Sequence, residues 1–244
     1  MNIAEQLTAL NDAKQDIKNA LAEKGVTPTG GLSTYADAVR EVSGGWYPNN
    51  GICFCRSTCK TIPLFDTTNI TSMYQMFRDC GQLTSIPPLE TGNVTDMGEF
   101  CMYCFDLQSV PLLNTSNVTS MNGMFFNCTT LTDIPLMDAS KVLTIESFAM
   151  GSYGLTNIGG FINLGKCQFE LNKENVYWKL TTDSAFKQCR KITRESVLNI
   201  FNNLYDVTGS NNIPTLSFEP EVIARLKDED IIIATNKGWV ISSY

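Results

Sequence analysis

The 244-residue chain contains no histidine. Its absence removes the commonest general base at neutral pH and the commonest zinc ligand together. No Ser-His-Asp or Cys-His arrangement is available, and no phosphate-loop pattern occurs. No apolar run approaches the ~20 residues that span a bilayer, so membrane insertion is not expected. Cations are scarce: 18 Lys and Arg stand against 25 Asp and Glu, a formal net charge of −7. Such a surface repels phosphate backbones, and nucleic acid is not an expected partner. Met1 to Gln6 shows no basic stretch leading into an apolar run, so no export signal is expected. With 43% hydrophobic and 18% charged residues, the chain reads as folded rather than disordered.

What the chain has is a period. Ile62, Ile86, Val110, Ile134 and Ile158 lie 24 residues apart, and Pro63, Pro87, Pro111 and Pro135 follow the first four. Ile70, Val94, Val118 and Val142 keep the step, as do Met73, Met97, Met121 and Ile145. Cys80, Cys104 and Cys128 form another column, broken by Ser152, and Leu83, Leu107, Leu131 and Leu155 close each unit. A unit this short cannot bury its own apolar side chains, but stacked copies supply each other's missing core. Leu83–Ile86 and Val118–Met121 read as strand-like. Met-Phe-x-x-Cys reads as a helical turn, because positions 124, 125 and 128 share one face. Proline after each Ile removes a backbone donor and should end a strand. Which piece forms the main parallel sheet stays open.

The run Asn117-Val118-Thr119-Ser120-Met121, with Met124, Phe125, Cys128 and then Leu131-Thr132-Asp133-Ile134-Pro135, resembles the BspA-type leucine-rich repeats of bacterial surface proteins. The resemblance covers roughly 56–163. It implies a solenoid used for attachment or as a scaffold, and it specifies no ligand. The expected fold is an α/β repeat, a leucine-rich-repeat-type solenoid of 24-residue coils spanning 46–191. A helical attachment or oligomerisation module, 1–45, precedes it, and an α/β capping unit, 192–244, closes it.

Ile3, Leu7, Leu10, Ile17 and Leu21 follow alternating steps of four and three, with Lys14 at the missing position. This is a coiled-coil seam of about three heptads, marginal alone in water. An oligomerising helix and a helix packed on the end of the repeats are both open readings. Ile17 to Val26, followed by Tyr35 to Val39, resembles the N-terminal module of fibre and tail proteins from gut bacteriophages. Beyond Phe161 the period lapses and 164–184 reads as irregular coil. Repeat chemistry returns in Phe186 to Ile192. A helix capped by Thr193 and a strand at Thr215–Phe218 should follow, then helices at Glu221–Leu226 and Asp228–Asn236 and a last strand from Val240. Ala234 to Trp239 resembles the C-terminal caps of phage and gut-bacterial proteins of this repeat class.

Cys101-Met-Tyr-Cys104 is the one CxxC, but both cysteines occupy repeat columns, which favours buried thiols over a metal or redox site. Asn69, Asn93, Asn117 and Asn127 head Asn-x-Ser/Thr runs and read as turn residues, as do Asp66, Glu90, Asn114 and Asp138. No catalytic, cofactor-binding or metal site is expected, and no cofactor. Non-column positions after each Met-Phe turn hold Met102, Tyr103, Phe105, Phe126 and Tyr153, an interaction patch if exposed and gap fillers if not. The resemblances imply a non-enzymatic bacteriophage virion protein, a fibre or a capsid or tail appendage. It would assemble in the host cytoplasm, where reduced cysteines are expected. Expected partners are further copies of the chain, other virion proteins, or a host surface protein or glycan. A bacterial cell-surface adhesin and a cytosolic protein-binding scaffold are the alternatives.

Light scattering on the full chain and on a variant beginning at Trp46 tests the seam. A dimer or trimer that becomes monomeric on truncation marks an assembly helix. A monomer that loses only thermal stability marks a packed end.

Overall fold

The structure, a computed structural model, describes residues 54–58, 60–62, 66–173 and 180–244. The seam positions Ile3, Leu7, Leu10, Lys14, Ile17 and Leu21 lie outside the described residues.

Every buried amide needs an acceptor, and residues 73–80 meet that need in two alternating ways. Met73, Gln75, Phe77 and Asp79 donate N–H to Asp96, Gly98, Phe100 and Met102 of the following unit, at 2.8–3.0 Å. Between them, Met76, Arg78 and Cys80 donate back three residues, to Met73, Gln75 and Phe77. The alternation recurs from Met97 to Tyr103 and from Met121 to Asn127. A fourth step runs from Ile145, Ser147, Ala149 and Gly151 to Thr181, Asp183, Ala185 and Lys187. Donor and acceptor there lie 36 residues apart, against 23 for Met121 and Thr144.

This run of tight turns replaces the helical turn expected for Met-Phe-x-x-Cys. A helix closes each N–H onto the carbonyl four residues back and leaves none for a neighbour. Here every fourth residue is left-handed instead: Gln75 and Asp79 at φ 59°, Glu99 at 54°, Tyr103 at 63°, Asn127 at 56°, Ser147 at 54° and Gln188 at 68°. That region is unfavourable for residues with a Cβ, and the ladder holds them there. At Gly151, φ 77°, an added Cβ would also lie 1.9 Å from Asn127 Oδ1.

Isolated parallel bridges mark two further lines of contact. One joins Thr61, Ser85, Ser109 and Asp133, and the other joins Ser72, Asp96, Ser120, Thr144 and Thr181. The strand-like pieces expected at 83–86 and 118–121 are thus reduced to single bridges at Ser85 and Ser120. Two-residue strands form only later: β1 (Asp133–Ile134), β2 (Met137–Asp138), β3 (Asn157–Ile158) and β4 (Phe161–Ile162). β1 pairs with β3 and β2 with β4, both parallel, with Ile134 beside Ile158. Pro135 follows β1 directly, where its missing donor harms no pairing.

Register places like side chains over like. Met73, Met97, Met121 and Ile145 are buried, as are Leu83, Leu107, Leu131 and Leu155. Phenylalanine rings bridge successive units: Phe77 to Phe100 at 5.1 Å, Phe125 to Phe148 at 5.4 Å and Phe148 to Phe161 at 5.1 Å between centroids. Buried Thr67, Thr91 and Thr115 donate their hydroxyls to the next unit's Glu90, Asn114 and Asp138 carbonyls at 3.0, 2.9 and 2.9 Å. A buried hydroxyl without such a partner would be destabilising.

After β4 the chain makes α1 (Lys166–Lys173), where irregular coil was expected, then α2 (Arg194–Asn203). Thr193 Oγ1 accepts the Ser196 N–H at 3.2 Å to start α2, which buries Val197, Ile200 and Phe201. β5 (Thr215–Phe218), α3 (Pro220–Ile223), α4 (Asp228–Thr235) and β6 (Val240–Ser243) follow, with β5 and β6 parallel. Lys237 Nζ donates to the Phe201, Asn202 and Leu204 carbonyls at the end of α2, at 3.1, 2.7 and 3.0 Å, the charge favoured at a helix C-terminus. Trp239 is buried and donates Nε1–H to the Tyr205 carbonyl at 2.9 Å. Gly165 makes room for it, since a Cβ there would lie 2.7 Å from the indole. Arg194 grips Asp230 with two bonds of 2.7 and 2.6 Å. That guanidinium, helped by the Lys227 N–H, holds the Asp230 carboxyl below its ordinary range.

Side chains end the ladder. Phe186 and Gln188 stand where Ala149 and Gly151 stand one unit earlier. Their N–H groups go to Tyr244 Oη at 3.3 Å and to the buried Glu219 Oε1 at 2.8 Å instead of to another backbone. Parallel stacking of the Phe186 and Phe218 rings, 5.3 Å apart, covers the last apolar layer.

Leu107→Ala or Leu131→Ala should each lower stability by ~2–5 kcal/mol, as buried large-to-small changes do. Denaturant titration measures this. Losses under about 0.5 kcal/mol at both sites, the range of ordinary surface changes, would contradict the packed register.

Candidate interaction surface

Three of the five aromatic or methionine positions singled out by the period come together. Tyr103 lies 6.0 Å from Phe105 and 5.4 Å from Phe126, edge to face with the latter. The ladder places them, because Tyr103 is one of the left-handed residues and its N–H bonds to the Phe126 carbonyl at 2.8 Å. Phe105 lies across Gly81, whose absent Cβ would sit 3.2 Å from the ring. Tyr103, Phe126 and Met102 are half-buried, while Phe105 keeps 45% of its surface exposed. The patch therefore divides: Tyr103 and Phe126 fill space between units, and Phe105 faces solvent. Tyr153, 50% exposed, makes no ring contact with the three and instead meets Gln188 Oε1 at 3.4 Å.

A further aromatic of the repeats is exposed. Tyr74 is 44% exposed and donates to Glu99 Oε1 at 3.2 Å. Glu99 also accepts from Gln75 Nε2 at 2.8 Å and pairs with Arg78. Burial and the Glu99 charge push the Tyr74 phenol up. Its column neighbours Gly98, Asn122 and Glu146 are not aromatic, so the period alone gave no reason to select it.

Five of the polar column residues are occupied by the fold. Asp66, Asn114 and Asp138 use Oδ1 to accept the N–H two residues on, at 3.0, 3.2 and 2.8 Å, which is Asx-turn chemistry. Hydrogen bonds from Thr68 hold the Asp66 carboxyl below its usual range. Asn93 and Asn117 donate Nδ2–H to the Thr68 and Gly92 carbonyls of the preceding unit at 2.8 and 2.7 Å.

The cysteine column is a line of donors. Cys80, Cys104, Cys128 and Cys189 each point a thiol at a carbonyl of the preceding unit, those of Phe54, Phe77, Cys101 and Ala149, at 3.0 Å. Ser152, which interrupts the cysteine series, makes the same bond to Phe125 at 2.7 Å. Burial pushes the Cys101 and Cys128 thiols well up, and that of Cys189 to about 12. Cys101, Cys104, Cys128, Cys167 and Cys189 carry free thiols, whereas Cys55 is disulfide-bonded. The expectation of reduced cysteines is corrected at Cys55.

A family model described as "Mycoplasma protein of unknown function, DUF285" matches residues 52–157, less than half of the chain. That family is associated with BspA-like surface repeat proteins. Among curated proteins and solved structures, none matches the chain. No helix among the described residues is long and apolar enough to cross a membrane.

In the folded protein Cys80, Cys104 and Cys128 should react with a thiol reagent far more slowly than after denaturation, since each is buried and the thiolate is the reactive form. Mass spectrometry of a labelling time course reads this. Rapid modification of all three without denaturant would place the column on the outside.

Proposed function

We propose that the chain is a non-enzymatic attachment or assembly protein, a leucine-rich-repeat-type solenoid that holds a set of exposed aromatics in fixed register. The observation that carries this reading is the ladder. Its threonine, asparagine and cysteine columns are spent on bonds between units, and the large apolar side chains left outward on the repeats are Phe105, Tyr153 and Tyr74 with Leu112 and Leu136. Rigid aromatics on a regular scaffold supply contact area at low entropic cost. The specific setting proposed is a bacteriophage virion, as a fibre or a capsid or tail appendage. The resemblance of 17–26 and 35–39 to the N-terminal module of phage fibre and tail proteins supports it, and that of 234–239, shared by phage and gut-bacterial caps, fits it. Its partners would be further copies of the chain, other virion proteins, or a host surface protein or glycan.

The second reading is a bacterial cell-surface adhesin. It is favoured by the family match, whose family is associated with surface repeat proteins, and by the bonded Cys55, since disulfides persist in oxidising compartments.

Protein mass spectrometry on purified phage particles and on surface-shaved uninfected cells separates the two. Recovery of the chain with the particles is the expected result. Recovery from the surface of uninfected cells sinks the virion reading in favour of the adhesin, and recovery only in the soluble lysate leaves the cytosolic scaffold.

A further inference from the structure

Near the end of the repeats two side-chain amides turn toward one bare place on the backbone. Gly151 is buried, and a Cβ there would lie 1.9 Å from Asn127 Oδ1 of the unit before and 3.6 Å from Gln188 Oε1 of the unit after. Asn127 heads one of the Asn-x-Ser/Thr runs. Among the described residues its side-chain amide makes no hydrogen bond, and neither amide atom is sealed from solvent. Gln188 Oε1 accepts the Tyr153 hydroxyl at 3.4 Å, and its Nε2, which makes no bond among the described residues, also reaches solvent. Tyr153 keeps 50% of its surface exposed. The backbone beneath is spent. The N–H groups of Asn127, Gly151 and Tyr153 go to the Met150, Lys187 and Gly151 carbonyls, and that of Gln188 to Glu219 Oε1, all at 2.8–3.0 Å.

Each part restricts the ligand. A side-chain amide both donates and accepts, and a hydroxyl does the same, so the two match whichever way the amide is turned. Asn127, Gly151, Tyr153 and Gln188 include no carboxylate, ammonium or guanidinium, so nothing in them selects an ion. Lys187, next to Gln188 in the chain, is exposed and disfavours a cation. An extended peptide that adds as a strand needs free backbone groups, and here they are taken. The exposed ring offers a flat apolar face of negative potential, suited to C–H groups. We infer that Tyr153, Asn127 and Gln188 form a saccharide-binding site. The C–H face of a pyranose ring lies on Tyr153, and its hydroxyls bond to the two amides across Gly151. The inference rests on the reading of the outward aromatics as an attachment surface, and it names what this end of that surface holds.

Cellotetraose, chitotetraose and maltotetraose are the probes, uncharged pyranose chains that differ in linkage or in an acetamido group. Each is titrated into the ¹⁵N-labelled full chain, and the side-chain amide signals of Asn127 and Gln188 are followed. At least one probe should shift both signals saturably. Tyr153→Ala, at an exposed position, should weaken that probe about tenfold, the loss of one aromatic contact. Ile232→Ala, at an exposed position on α4, should leave its affinity unchanged. The inference is overturned if no probe shifts the two signals up to ~10 mM, a concentration that reveals even a millimolar Kd; Tyr153 is then left to a protein partner. It is also overturned if binding is seen but Tyr153→Ala and Ile232→Ala bind alike. Where the chain is found, on particles, on cells or in the lysate, tests the attachment reading separately. A chain found on particles or cells that binds none of the three keeps that reading and loses this one.

Discussion

Alternate amides of one turn-rich segment cross to the next unit, and the amides between them close back on the segment itself. Met73, Gln75, Phe77 and Asp79 point one way and Met76, Arg78 and Cys80 the other. The left-handed residues accompany this division, recurring four places apart within each segment. It also makes register strict. A shift of one residue would aim the outgoing amides inward and carry every apolar column off its counterpart. Side chains then follow from the backbone: once the units are stacked in register, like residues meet like. Phe77 packs against Phe100, one place short of its column counterpart Cys101, and each column thiol meets a carbonyl of the unit before it.

The same constraint creates the problem of ending. A ladder that always donates forward leaves open donors on its last unit, and an open edge invites another chain. Glu219 and Tyr244 resolve this with side-chain acceptors for Gln188 and Phe186. The C-terminal elements are locked behind them by Lys237 on the end of α2, by Trp239 on the Tyr205 carbonyl and by the Arg194–Asp230 pair.

The apolar columns were legible because periodic burial leaves a periodic trace. Met121, Leu131 and Ile134 each occupy a place the numbering had marked, and all are buried. Thr193 as the start of α2 and the strand at Thr215–Phe218 were legible because a cap and a short alternation of polar and apolar residues are local signals. The turn ladder was not. Positions 124, 125 and 128 share a face in a helix and also in a run of tight turns, so periodicity cannot separate the two. α1 was missed because its sequence, Lys-Cys-Gln-Phe-Glu-Leu-Asn-Lys, carries too few apolar residues to show a helical face. Tyr74 was missed because nothing repeats with it.

What the sequence by itself determined is the spacing of the units and which side chains lie inside, since each unit must find its missing core in a copy of itself. The tertiary structure alone decided where each polar side chain is used. Ser152 substitutes for a cysteine because a carbonyl from the preceding unit waits at that place, and Gly151 is required because Asn127 of the unit before it stands there. Those partners lie about one repeat away along the chain, and a sequence read residue by residue does not contain the distance between them.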